Sequence, residues 1–158
     1  MKIHPIVASV FVAAFSFAAT GHSMAADSHQ HATGEPTKLV LDHGKKWPTD
    51  EPLRKGMTEV REALAAKHEA IHTGKLAPAD YKALGATVET QVASIVAQCK
   101  LEPAADANLH LIIAELLAGA DAMQGKSKTT PAAGAAQVVR AVNQYGRYFN
   151  HPGWKPLA

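Results

Sequence analysis

The stretch PAADANLHLIIAELLAGADAMQG, from Pro103 to Gly125, decides the fold. Its residues Leu109, Ile112, Ile113, Leu116, Ala120 and Met123 recur at steps of three and four, which places them on one stripe of an α-helix. Proline suits the first helical position, where its missing N–H costs nothing, and glycine suits the position just past the end. Three more segments read the same way. In Thr49-Asp50-Glu51-Pro52 a capping side chain, early acids and a first-turn proline mark a start, and Leu53, Met57, Val60, Leu64 and Ile71 form a stripe before Gly74. From Pro78-Ala79-Asp80 a second helix carries Tyr81, Leu84, Val88, Val92, Ile95 and Cys99 on one face. Thr130 and Pro131 open a last helix with Ala135, Val138, Val142, Tyr145 and Phe149 inward, closed by His151-Pro152-Gly153.

Helices of about twenty residues, roughly 30 Å long, joined by short loops have antiparallel neighbours. The expected fold is all-α, an up-down-up-down antiparallel four-helix bundle over residues 38–158. Lys38 to Pro48 is expected to lie on it as an extended N-terminal strap, with Trp47 packed into an edge. Composition agrees: alanine is abundant and aromatic residues are only 6%, so strand formers are scarce.

At the other end of the chain, Lys2 precedes the apolar run Ile6 to Ala19, and the small-residue site Ser23-Met24-Ala25-Ala26 follows. This is the pattern of a cleaved secretory signal peptide, residues 1–26, and it predicts a periplasmic protein with no membrane attachment after cleavage. Residues 27–37 then form a polar, histidine-containing tail expected to be flexible. The formal net charge of +2 nearly vanishes once Lys2 is removed, which argues against nucleic acid as a partner. Cys99 is the sole cysteine, so in an oxidising compartment it is buried, bound to metal or paired with another chain. Its place on an apolar stripe favours a buried, unreactive thiol, in a monomer or weak homodimer.

Bundle topology brings Met57, Cys99, Asp106, His110 and His151 to one end, with His43 and Trp47 nearby. Thioether, thiolate and imidazole donors together suit copper. Ordinary structural roles stand beside each: Met57 and Cys99 as core filler, His110 as a partner of Asp106 one turn earlier, His151 as a helix cap. At the opposite end His68 and His72 lie one turn apart, in a sequence that literally matches His-Glu-x-x-His. A solvated helix flank is the first reading there, a weak zinc or copper pair the second and a peptidase a distant third. If cleavage follows Ala26, His29 becomes the third residue of Asp27-Ser28-His29, a pattern that resembles the amino-terminal copper and nickel motif, with His31 close by. Cleavage after Ala25 moves His29 to fourth place and removes that geometry.

The pairing of Met57 with His151 resembles the soluble b-type four-helix-bundle cytochromes, which hold haem between a methionine early in helix one and a histidine near the end of helix four. That resemblance spans Asp50 to His151 and implies a non-covalent haem b electron carrier with Met57 and His151 as ligands. No Cys-x-x-Cys-His is present, so covalent haem is excluded. The wording from Leu41 to Asp50 and from Cys99 to Asp106 also resembles small secreted proteobacterial four-helix-bundle proteins of unassigned activity, a likeness that carries no function.

Three classes stay open: a periplasmic protein that binds a metal ion, first of all copper, for sequestration or transfer; a haem carrier; and a cofactor-free structural or partner-binding bundle. No catalytic triad, paired-carboxylate cleft or phosphate loop is evident, so no enzyme is expected.

Overall fold

A computed structural model describes residues 37–158. The expected signal peptide and cleavage site, the expected flexible tail up to Pro36, and His29 and His31 lie outside the described residues. The described chain is all-α, with helices α1 (Glu51–Ala65), α2 (His68–His72), α3 (Pro78–Gln98), α4 (Pro103–Met123) and α5 (Pro131–Tyr148), and it contains no strand. Among these residues no helix is long and apolar enough to cross a membrane.

The start signals act as read. Asp50 accepts the Leu53 N–H at 2.9 Å, Thr130 accepts the Ala133 N–H at 3.3 Å, and α3, α4 and α5 each open on proline. So do the stops. Gly74 and Gly125 take φ of 65° and 74°, and the next residue's N–H reaches back to Ala70 O and Asp121 O respectively. This is the left-handed closure that glycine makes cheap.

Three helix boundaries differ from the expectation, the third being that α5 ends at Tyr148 and leaves Phe149 extended. The first helix does not run on to Gly74: α1 ends at Ala65, and the separate five-residue α2 follows. Leu64 and Ile71 bracket Lys67 and His68, so no apolar side chain holds the intervening turn to the core, and it unwinds. The second difference is that Cys99 is not on an inward helical face. Gln98 is the last residue of α3, and Cys99 follows in extended conformation, half-buried.

The other stripe residues are buried and join one core cluster, Phe149 included although it follows the end of α5, while Ile71 in α2 is half-buried against that cluster. Packing is most extensive between α4 and α5, followed by α3 with α4 and α1 with α3. The α4–α5 contact depends on glycine. A Cβ on Gly134 would sit 2.7 Å from Gly119 O, and one on Gly119 would sit 2.7 Å from Gly134 O, so the two backbones touch where neither residue has a side chain.

Two irregular segments lie on this core. Before α1, Val40 donates its N–H to Asn108 Oδ1 at 2.9 Å and accepts the Trp47 indole N–H at 2.7 Å. Trp47 exchanges backbone hydrogen bonds with Tyr148 and Asn150, both 2.8 Å. After α5, Asn143 bonds both the N–H and the C=O of Leu157, at 2.8 and 2.9 Å, and Arg61 donates to Lys155 O.

Candidate functional site

One end of the molecule is held by hydrogen bonds between residues remote in sequence, and Asp50 is its hub. Besides capping α1, its carboxylate accepts the Lys100 N–H at 2.6 Å and the Cys99 thiol at 3.4 Å. Burial pushes this carboxyl up. The N–H groups of Lys100 and Leu53, the Cys99 thiol and the charge of Arg54 outweigh that and hold its pKa below the ordinary 3.8. The same contact acts oppositely on Cys99. Burial first, then the hydrogen bond to Asp50 and the negative charges of Asp50 and Asp106, push the thiol up to about 12. Cys99 is therefore a protonated thiol at neutral pH.

The neighbouring residue Thr49 extends the network. Its hydroxyl donates to Asn150 O at 2.7 Å, and the Arg54 guanidinium donates to Thr49 O and Oγ1. Next to Asn150 stands His151, whose Nδ1 lies 3.0 Å from the Tyr145 hydroxyl. Tyr145 is fully buried, and desolvation raises its pKa, so the phenol keeps its proton. Burial first, then the positive Arg54, lower the pKa of His151 and keep its imidazole neutral. The turn His151-Pro152-Gly153-Trp154 closes with a Trp154 N–H to His151 O bond of 3.1 Å and Gly153 at φ 76°. It folds the Trp154 ring to 4.8 Å from both Tyr145 and His151.

The structure thus links Cys99 and His151 through Asp50, Thr49 and Asn150, and leaves the other expected residues apart. Met57 is 0% exposed and belongs to the central core cluster. His110 is exposed and its Nδ1 is 2.9 Å from Asp106 O and 3.4 Å from the Asp106 carboxylate, so it bonds within its own helix. His43 sits at the tip of the Asp42–Lys45 turn with its side chain 98% exposed. His68 and His72 do stack, with ring centroids 6.2 Å apart, and His68 Nε2 donates to Ala158 O at 2.6 Å. Among the described residues no group of three or more His, Cys, Asp and Glu side chains gathers as a metal cage.

Sequence reasoning missed Asp50 as a hub, because a carboxylate before a helix is fully accounted for as its cap. It placed Tyr145 in the core stripe without a use for the hydroxyl. The signal for that use was the nearby His151-Pro152-Gly153-Trp154, a turn-forming run that returns aromatic side chains to the helix just left. His151 and Trp154 border two cavities, one of 420 Å³ beside Lys46 and Arg147 and one of 240 Å³ beside Arg61 and Glu62. No protein-family model, curated protein or solved structure matches the chain.

Proposed function

We propose that this is a non-enzymatic periplasmic binding protein, exported through a signal peptide at residues 1–26, that holds copper for sequestration or transfer. In this reading α1, α3, α4 and α5 form an up-down-up-down antiparallel four-helix bundle, with residues 38–48 as its strap. The copper donors are Cys99 Sγ and His151 Nε2, at the end organised by Asp50 and Tyr145.

The observation that carries the reading is that each donor already has a second-layer partner. A metal-binding imidazole uses one nitrogen for the ion and donates the other N–H in a hydrogen bond that fixes its orientation, and the Tyr145 hydroxyl oxygen is placed to accept it from His151 Nδ1. The Asp50 carboxylate already accepts the Cys99 S–H and orients the sulfur, and the proton that a metal displaces from sulfur passes to solvent, since Asp50 is held below the ordinary carboxylate range. Sulfur with a neutral imidazole favours Cu(I) over harder ions. Met57, His110 and His43 are dropped as ligands, since the first lies in the core and the others bond locally or face water.

The haem reading rests on Met57 and His151 and requires Met57 to leave the apolar core cluster for the iron. The cofactor-free bundle is favoured by a specific observation: Met57, Cys99, His110 and His151 are each packed or hydrogen-bonded as ordinary structural residues.

Competition with a Cu(I) chelator tests the proposal. Cys99→Ser and His151→Gln should each weaken copper binding, while Met57→Leu and the double substitution His68→Gln/His72→Gln should leave it intact. Copper loss confined to the double variant moves the site to the other end. No binding by the wild type, with no Soret band in protein from haem-replete cells, makes the cofactor-free bundle the function.

A further inference from the structure

The 420 Å³ cavity beside His151 is lined by Lys46, Arg147 and Trp154, and no Asp or Glu contributes to it. Three other cavities mix signs: Lys55 with Glu59, Arg61 with Glu62, and Lys67 with Glu69. Part of its wall is held in place. Asn143 is tied at both ends to the Leu157 backbone, and the Lys46 ammonium donates to Gly146 O at 2.6 Å, which leaves it two further N–H groups. Trp154 lies directly over Gly146, where a Cβ would come within 2.3 Å of its Cδ1 and Nε1, and its indole N–H is buried without a partner. A buried donor without an acceptor costs roughly 1–3 kcal/mol. Two cations, Lys46 held on Gly146 O and the exposed Arg147, therefore border one cavity without a carboxylate, within the size range of small-molecule sites.

We infer that this cavity binds a small organic dianion, a dicarboxylate or a phosphomonoester, between Lys46 and Arg147 and against the Trp154 side chain. The two cations match two negative charges, and the volume leaves room for a carbon skeleton that inorganic phosphate lacks. A competing role for Lys46 and Arg147 needs no ligand: both stand at the C-terminal end of α5, where positive charge complements the helix dipole.

Titration of the copper-free full chain with succinate, phenyl phosphate and inorganic phosphate, followed by tryptophan fluorescence and calorimetry, separates the two. Succinate or phenyl phosphate should bind saturably and more tightly than inorganic phosphate. Loss of a charge-assisted hydrogen bond is expected to weaken this about tenfold or more in Lys46→Gln and in Arg147→Gln. Trp154→Phe, which keeps a ring over Gly146, should change it little, because the indole N–H is buried against Gly146 and does not reach the ligand. Lys155→Gln, at the neighbouring cavity, should bind as wild type. Failure of all three probes to saturate in the millimolar range, or unchanged affinity in Arg147→Gln, overturns the inference and leaves the cations as helix complements. Equal affinity for inorganic phosphate overturns its organic part. Cys99→Ser reports separately, since it should lose copper and keep the dianion.

Discussion

Where α4 meets α5, the chain relies on the absence of side chains; where Asp50 meets Cys99, it relies on their chemistry. Gly119 and Gly134 bring two backbones together and let Val138, Ala122 and Met123 close around them without a polar atom to satisfy. At the other region Asp50, Thr49, Asn150 and Tyr145 hold Cys99 and His151 by directional bonds, and both of those residues remain half-buried. The first region buys order through close packing, the second through fixed hydrogen-bond geometry. The difference teaches that close packing and directional bonding are separated in this molecule, so substitutions at the glycine contact should leave the environment of Cys99 unchanged.

The largest effect belongs to the apolar region. Leu116 is 0% exposed, and Leu116→Asp buries a carboxylate with no partner. That costs several kcal/mol against a total domain stability of roughly 5–15 kcal/mol. The expected outcome is loss of the cooperative thermal transition by circular dichroism. Gly134→Ala probes the same region more gently. Its new methyl meets Gly119 O at 2.7 Å and Met123 N at 3.1 Å, both backbone atoms that cannot swing aside. A loss of about 3 kcal/mol in urea unfolding is expected, with Cys99 reactivity unchanged. Altered thiol labelling in this variant would break the separation.

Asp50→Ala acts in the directional region alone but should change both stability and the Cys99 thiol. Removal of the N-cap is expected to cost about 1–2 kcal/mol. The same change deletes the acceptor and the negative charge that help hold the Cys99 thiol up near 12, so its pKa falls and labelling by a thiol reagent accelerates. Wild-type Cys99 should label slowly because its thiol is protonated. Labelling that is equally slow in the variant would mean that burial alone protects the sulfur.

The two regions were unequally legible in the sequence. Leu109 to Met123 and the other stripes announce themselves through a repeat of three and four, because burial on a helix imposes that period on every core residue. Caps and glycine stops are equally local, and Asp50, Thr130, Gly74 and Gly125 behave as their neighbours imply. The break after Ala65 was hidden because a stripe with one missing contact still reads as continuous. The site is carried by contacts without period: Asp50 with Lys100, Thr49 with Asn150, Asn143 with Leu157. Each joins residues whose types fit many partners, and only the folded chain selects one. Met57 shows the converse, since a sulfur donor and a core methionine share one sequence pattern and differ only in what surrounds them.

Tyr145→Phe tests the directional region alone. The buried ring, stacked 5.3 Å from Phe149, is kept, and only the hydroxyl bonded to His151 Nδ1 is lost. About 1 kcal/mol of stability should go with it. In the copper reading the variant also loosens the orientation of His151, so Cu(I) affinity falls although no ligand atom has been removed. Unchanged affinity would detach Tyr145 from the site.

The smallest effect is a pH slope carried by His151. Burial, and then the positive Arg54, hold its folded pKa below the ordinary 6.5. The unfolded chain therefore takes up this proton at a higher pH than the folded protein does. Between those two values the unfolded state binds more protons, so stability rises with pH. This contribution is fully present above 6.5 and is lost as the pH falls through the window beneath it. Asp50 acts in the same direction but lower, because its depressed folded pKa makes the unfolded carboxyl protonate first, below about 3.8. The two windows open at different pH, below 6.5 and below 3.8, and belong to different residues, which lets one substitution separate them. Urea midpoints of the wild type should fall between pH 7 and pH 5 by a fraction of a kcal/mol, a size set by the partial exposure of the imidazole. His151→Gln retains a polar side chain that does not titrate, so it should flatten that slope and leave the acid limb governed by Asp50 in place. A slope that survives in His151→Gln would assign the proton to another group and remove the argument that His151 is held neutral at this end.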